Sequence, residues 1–213
     1  SVDGGIVTAI RKGFVSVRLI QPKATINVSK VYNQSSSVTL RCRNVNFKMA
    51  DIKVQGADLT LKSKNYIELT MKKGSSKATV SIFPVYQNSN PIVFSVVGDP
   101  QGRFGVFARH LAKIEKSGNN FVILLGDLVE EGKYENFQDF LKCIKDFSPP
   151  IYCVPGNHDV SYGGRDNFNL LIAPSDYSFI VGDYRFIMLD SSRWYLKENQ
   201  WLWLESELQK SER

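Results

Sequence analysis

Three short apolar runs at a regular interval constrain this chain more than any other feature. They are "IVFSVVG" (residues 92–98), "FVILLG" (121–126) and "PIYCV" (150–154). Each has the length and continuous apolarity of a strand buried on both faces. Between the first two, Phe104, Phe107, Ala108, Leu111 and Ile114 recur at helical spacing. Between the second and third, Phe137, Phe140, Leu141 and Ile144 do the same. A β-α-β-α-β order predicts a largely parallel sheet covered by helices. Two further strands, "YSFIVG" and "YRFIMLD", flank Gly182-Asp183, a hairpin signal. "KENQWLWLESELQKSER" then predicts an amphipathic helix running to the last residue.

The first 88 residues have a different texture. "VSVRLI", "ATINVSKV", "SVTLRC", "IKVQ", "NYIELTM" and "ATVSIF" alternate or are rich in Val, Ile and Thr, with short polar segments between them. Repeated short strands of this kind predict a small β-sandwich. The expected fold class is therefore α/β (α+β overall). A β-sandwich-like accessory domain occupies residues 1–88, and a sheet flanked by helices occupies residues 89–213. "QNSNP" at 87–91 is the expected polar hinge. No chemical constellation is visible in the first segment, which reads as a packing or binding module.

Composition excludes several classes. The chain is 43% hydrophobic and 23% charged, an ordinary globular balance. No apolar run approaches the roughly 20 residues of a membrane span. Ser1 to Ile10 lacks the charged start and apolar stretch of a signal peptide. The net charge of +6 suits anionic substrates, but the basic residues are scattered as on a solvated surface, so no nucleic-acid partner is assigned. Cys42, Cys143 and Cys153 are odd in number and widely spaced, which argues against a disulfide framework or a zinc cluster. Asn27-Val28-Ser29 and Asn33-Gln34-Ser35 match the glycosylation sequon, a triplet common by chance.

The polar residues fall where the parallel strands end. The three runs lead into Gly98-Asp99-Pro100-Gln101, Gly126-Asp127-Leu128-Val129-Glu130 and Gly156-Asn157-His158-Asp159. Ligands of open α/β sheets bind at the carboxyl ends of strands. Adjacent strands lie about 4.8 Å apart, so the three loops can converge. The intervals, 28 residues from Asp99 to Asp127 and 30 from Asp127 to Asn157, each suit one crossover. Singly, each signature has a plainer reading: Asp127 with Glu130 as a capping box, Asp99-Pro100 as a turn start, Gly156-Asn157 as a tight turn. Three such loops on three successive strands favour a shared site. The glycines at 98, 102 and 105 do not have dinucleotide-binding spacing.

This combination resembles the calcineurin-like metallophosphoesterases. Their blocks are Asp-x-His, Gly-Asp-x-x-Asp and Gly-Asn-His-Asp/Glu, each after a strand. "GDLVE" and "GNHD" match the second and third, and Asp99-Pro100-Gln101 stands for the first with Gln for His. The resemblance extends through "YSFIVGDYRFIMLDSS" and "ENQWLWLESEL", about residues 92–210. It implies two divalent metals (Mn, Fe or Zn) about 3.5–4 Å apart acting on a phosphate-ester substrate. By resemblance, Asp99 binds the first metal, Asp127 bridges both and Asn157 binds the second. Gln101 offers an amide oxygen where the family has imidazole, and the oxygen-rich set leans toward manganese. His158 would reach the phosphate and protonate the leaving oxygen, with Asp159 orienting its ring. The family's later histidine blocks have no counterpart, since no histidine follows His158. His110 reads as a helix-surface residue. The expectation is a fragment of a longer phosphoesterase, weakly active alone. The alternative is a non-catalytic binding protein on the same scaffold.

Overall fold

A computed structural model describes residues 1–30, 37–85 and 91–210. Nine strands come first: β1 (Val2–Asp3), β2 (Gly5–Arg11), β3 (Phe14–Leu19), β4 (Ala24–Ser29), β5 (Thr39–Arg43), β6 (Ala50–Gln55), β7 (Ala57–Lys62), β8 (Tyr66–Met71) and β9 (Lys77–Pro84). They form two sheets, ordered β1-β4-β9-β6 and β2-β3-β5-β8-β7. Alternate residues point to one shared core. Val17, Leu19, Leu40, Cys42, Ile67 and Leu69 come from the second sheet, and Ile26, Val80 and Ile82 from the first. The predicted strands are present. Sequence patterning missed β1, β2 and β7. The last two are the edges of their sheet, and register shifts at Val7/Ala9 and Leu59/Leu61 break their alternation. Edge strands keep apolar residues outward at such bulges, so they do not read as half-buried.

The second part contains β10 (Phe94–Val97), α1 (Phe104–Lys116), β11 (Phe121–Leu125), α2 (Tyr134–Cys143), β12 (Ile151–Val154), a 3-10 turn (Ser161–Gly163), α3 (Gly164–Leu171), β13 (Tyr177–Val181), β14 (Tyr184–Met188) and α4 (Glu198–Gln209). This is the expected order except for the 3-10 turn and α3, two elements the sequence pattern missed. β10, β11 and β12 are parallel with β11 in the middle. Phe121 to Leu124 are all buried, as a strand covered on both faces requires. α1 buries Phe107 and Leu111 against this sheet, and α2 buries Phe137 and Phe140. β13 and β14 pair antiparallel around Gly182, whose φ of 58° explains the glycine. His110 is exposed on α1.

Two expectations are corrected. β10 is the edge of its sheet, and Phe94 and Val96 stay 40% and 51% exposed, so "IVFSVVG" is not buried on both faces. α4 is also reversed. It buries Gln200 and Glu207 and exposes Trp201, Leu202 and Leu208. Polar contacts set that rotation. Gln200 Nε2 donates to Asp190 O at 2.8 Å and Asp176 Oδ1 at 3.0 Å. Glu207 accepts from Ser178 Oγ at 2.6 Å and pairs with Arg185 at 3.1 Å. Satisfied buried polar groups outweigh the apolar stripe here.

Asparagines seat the first two sheets on the second part. Asn44 Nδ2 donates to Leu19 O (2.8 Å) and Ile151 O (2.9 Å), and Asn44 Oδ1 accepts from Ile151 N (2.8 Å). Asn65 Nδ2 donates to Phe147 O at 2.8 Å, and Asn46 Nδ2 to Asn120 O at 2.7 Å. The expected hinge at 87–91 lies outside the described residues except for Pro91. So do the sequon at Asn33 and the last three residues of the C-terminal helix call. No helix among the described residues is long and apolar enough to cross a membrane.

Candidate active site

The three strand-end loops meet at Asp127. It lies two residues past β11, as Asp99 lies two past β10, and Asn157 lies three past β12. From the first loop, Gln101 N donates to Asp127 O at 2.8 Å, and Asp99 N to Gly126 O at 3.2 Å. From the third, His158 N donates to Asp127 Oδ1 at 3.0 Å. Gln101 Nε2 stands 3.5 Å from Asp127 Oδ2. The side chains of Asp99 and Asn157 are exposed and make no hydrogen bond among the described residues.

The backbone is strained at these positions. Asp99, Gln101 and Asp127 have φ of 56°, 40° and 49°, the left-handed region that non-glycine residues rarely enter. Such outliers cluster at functional sites. Gly156 is required for a different reason. A Cβ there would lie 2.1 Å from Asp127 Oδ1, so only glycine lets the third loop pass the carboxylate. The capping-box reading of Asp127 and Glu130 does not hold, because no helix starts until Tyr134.

His158 and Asp159 part company. His158 Nδ1 lies 2.7 Å from Glu130 O. A carbonyl only accepts, so Nδ1 carries the proton and Nε2 is the free end of the ring. This hydrogen bond, with smaller contributions from the nearby carboxylates, pushes the imidazole above its ordinary value. Asp159 does not orient the ring, contrary to expectation. Its Oδ2 accepts from Gly156 N at 2.8 Å and its Oδ1 from Val129 N at 3.2 Å, tying the second loop to the third. The carboxyl is fully buried, and burial raises it to about 6 against the opposing pull of those N–H donors. The orienting group is a backbone carbonyl, which residue types do not reveal. Ser161, which accepts from Gly132 N at 3.1 Å and donates to His158 O at 2.6 Å, was also missed. Its one signal is its place three residues after His158.

The donor set decides what the site can hold. Asp99, Asp127, Gln101 and Asn157 offer two carboxylates and two amides, all oxygen donors suited to a hard cation. Among the described residues no three of His, Cys, Asp and Glu gather to hold a metal. These residues fit part of one coordination sphere and do not complete a two-metal centre.

The calcineurin-like phosphoesterase family model matches residues 92–210, which contain the three loops, the hairpin and α4. The chain belongs to that family. A 3′,5′-cyclic adenosine monophosphate phosphodiesterase of Haemophilus influenzae is 38% identical over 55 residues, covering 25% of this chain and 20% of the relative. A probable glycerophosphodiester phosphodiesterase of Arcobacter nitrofigilis is 32% identical over 101 residues, covering 43% of this chain and 37% of the relative. The match thus spans well under half of either curated relative. A purple acid phosphatase from yellow lupin seeds aligns over 97% of this calcineurin-like chain and 48% of its own, with a TM-score of 0.47 at 12% identity.

Proposed function

We propose that this calcineurin-like chain contributes the first half of a metal-dependent centre that hydrolyses phosphate esters, phosphodiesters among them. Asp99, Gln101, Asp127 and Asn157 would supply oxygen donors to bound divalent metal, with Asp127 the central donor of the set. The remaining donors come from outside these residues. Bound divalent metal would supply Lewis acidity at the phosphate. The observation that carries the reading is the convergence of the first and third loops on Asp127, at 2.8 Å to its carbonyl and 3.0 Å to its carboxylate. His158 keeps Nδ1 on Glu130 O and presents Nε2. It donates a proton to a leaving oxygen only as imidazolium, a form that its raised pKa favours. Residues 1–88 act as an accessory β-sandwich docked through Asn44, Asn46 and Asn65, and residues 89–213 carry the chemistry.

The experiment is hydrolysis of an aryl phosphate monoester and a bis-aryl phosphate diester with added Mn²⁺, in wild type, Asp127→Asn and His158→Ala. Slow, Mn²⁺-dependent diester turnover that Asp127→Asn abolishes and His158→Ala reduces about 10²–10⁴-fold fits the proposal. One feature favours a second reading, a binding protein on this scaffold: Gln101 turns its amide toward Asp127 where the family has imidazole. Equal rates in wild type and Asp127→Asn would select that reading.

A further inference from the structure

The β2-β3-β5-β8-β7 sheet presents an arginine face on the side away from its core. In β3, Val15, Val17 and Leu19 point to the core, so Phe14, Ser16 and Arg18 point away. In β5, Leu40 and Cys42 point in, and Arg41 and Arg43 point away. The parallel register places Arg18 directly beside Arg43 and Ser16 beside Arg41. This face, Arg11 at its edge and α2 opposite enclose a cavity of about 400 Å³, with Lys142 and Lys145 on the α2 side. Spacing alone made these cations look scattered over a solvated surface. The fold gathers six of them around one cavity.

Their charges are unevenly matched. Arg41 has its own partner: Nε donates to Glu68 Oε1 at 2.7 Å, and the guanidinium lies over the Phe14 and Tyr66 rings. Arg43 lies 5.3 Å from the Tyr66 ring centre, and no carboxylate among the described residues is within ion-pair distance. Arg18 is only 6% exposed. It donates to Ile151 O at 3.0 Å and likewise has no carboxylate in ion-pair contact among the described residues. A buried guanidinium without a counter-ion is costly, and a second one beside it adds repulsion. Burial lowers the pKa of both arginines, and in Arg43 the neighbouring Arg41 and Arg18 push the same way. Lys142 and Lys145 hold Asp139 and Asp146 only at the exposed surface.

We infer that this cavity is a binding site for a small oligophosphate anion, separate from the strand-end loops. Two guanidiniums without a carboxylate partner among the described residues rise from paired positions on adjacent strands, whose backbones lie about 4.8 Å apart, and line one cavity, where they offer two forks to a phosphate. The lysines opposite suit a second phosphate. The volume lies within the range of small-molecule pockets. Arg18 meets Ile151 O and lies beside Cys153 within β12, whereas the Asn157–His158 loop follows the strand's last residue. The cavity thus backs onto the body of the strand whose end carries that loop, and none of its lining residues belongs to the three strand-end loops.

The test is calorimetric titration of the 213-residue chain with inorganic pyrophosphate in EDTA, which keeps divalent metals from the strand-end loops. Saturable 1:1 binding is expected, weakening steeply with salt. Arg43→Gln should weaken it by about tenfold or more, the loss of one charge-assisted contact. The exposed Arg11→Gln, which leaves every buried contact in place, should weaken it less. Asp127→Asn should bind as wild type. The inference is overturned by absence of saturable binding, by binding that survives both arginine changes, or by binding that Asp127→Asn removes. Citrate binding at least as tight as pyrophosphate would mark a polycarboxylate site and overturn the phosphate assignment. Thermal unfolding without pyrophosphate at a midpoint no lower than wild type, in each variant, confirms that lost binding is not lost fold.

Discussion

Replacing Asn44 with alanine removes three hydrogen bonds from a buried position where the first two sheets meet β12. Asn44 Nδ2 serves Leu19 O and Ile151 O, and Oδ1 serves Ile151 N, all at 2.8–2.9 Å. Ile151 O keeps Arg18, but Ile151 N and Leu19 O lose the side chain that satisfies them. Each lost bond is worth about 1 kcal/mol net, so roughly 3 kcal/mol is lost. Asn44 also has φ of 66°, which asparagine tolerates and alanine does not, adding about 1 kcal/mol. The expected total is about 4 kcal/mol, read by urea unfolding as a midpoint lowered by roughly 2 M at a slope of about 2 kcal/mol per M. Asn44→Gly keeps the backbone conformation accessible, so it should cost about 1 kcal/mol less than alanine. A loss under about 1 kcal/mol in Asn44→Ala would refute the claim that this side chain holds the two parts together.

Other substitutions probe other parts of the account. Gly156→Ala forces a methyl against Asp127 Oδ1. It should cost about 1–3 kcal/mol in urea unfolding and abolish Mn²⁺ binding, and wild-type behaviour in both would show that the third loop is not so tightly set. Burial pushes the Cys42 and Cys153 thiols up to about 12 and raises Cys143 as well. A thiol reagent at pH 8 should therefore modify at most one cysteine in the native chain and all three in urea, and fast reaction of two native thiols would contradict the burial. Asp176 accepts from Asp190 N and Gln200 Nε2, yet burial holds its carboxyl above the ordinary range. The native state thus binds that proton more tightly than the unfolded chain. Stability from Asp176 is present below about pH 4 and is lost as pH rises through its folded pKa. Asp176→Asn should gain on wild type across that rise, and a constant or opposite difference would overturn the assignment.

The parallel strands and the site loops were legible because both depend on short-range pattern. Apolar runs of four to six residues, helical spacing between them and a glycine-led polar turn after each need no tertiary knowledge. Asp127 and His158 could be proposed from such turns alone. What escaped depends on partners far away in sequence. Asp159 reads as a partner for its neighbouring histidine, but the fold gives it Gly156 and Val129 amides and gives His158 a carbonyl from Glu130. α4 reads as apolar face inward, but Gln200 and Glu207 find buried partners on Asp176, Asp190, Ser178 and Arg185 that no periodicity encodes. Arg18 and Arg43 lie 25 residues apart and meet only through the β3–β5 register, so their charges looked dispersed.

The proposed metal-binding centre, built by three strand-end loops around Asp127, is left incomplete by these residues alone. The most direct test is Mn²⁺ titration of the 213-residue chain, with bound ions counted by electron paramagnetic resonance, in wild type and Asp127→Asn. With two carboxylates, two amides and no imidazole, wild type should take up no more than one Mn²⁺, weakly enough to be stripped by gel filtration, and Asp127→Asn should take up none. Two Mn²⁺ ions retained through gel filtration, or uptake unchanged by Asp127→Asn, would contradict the account.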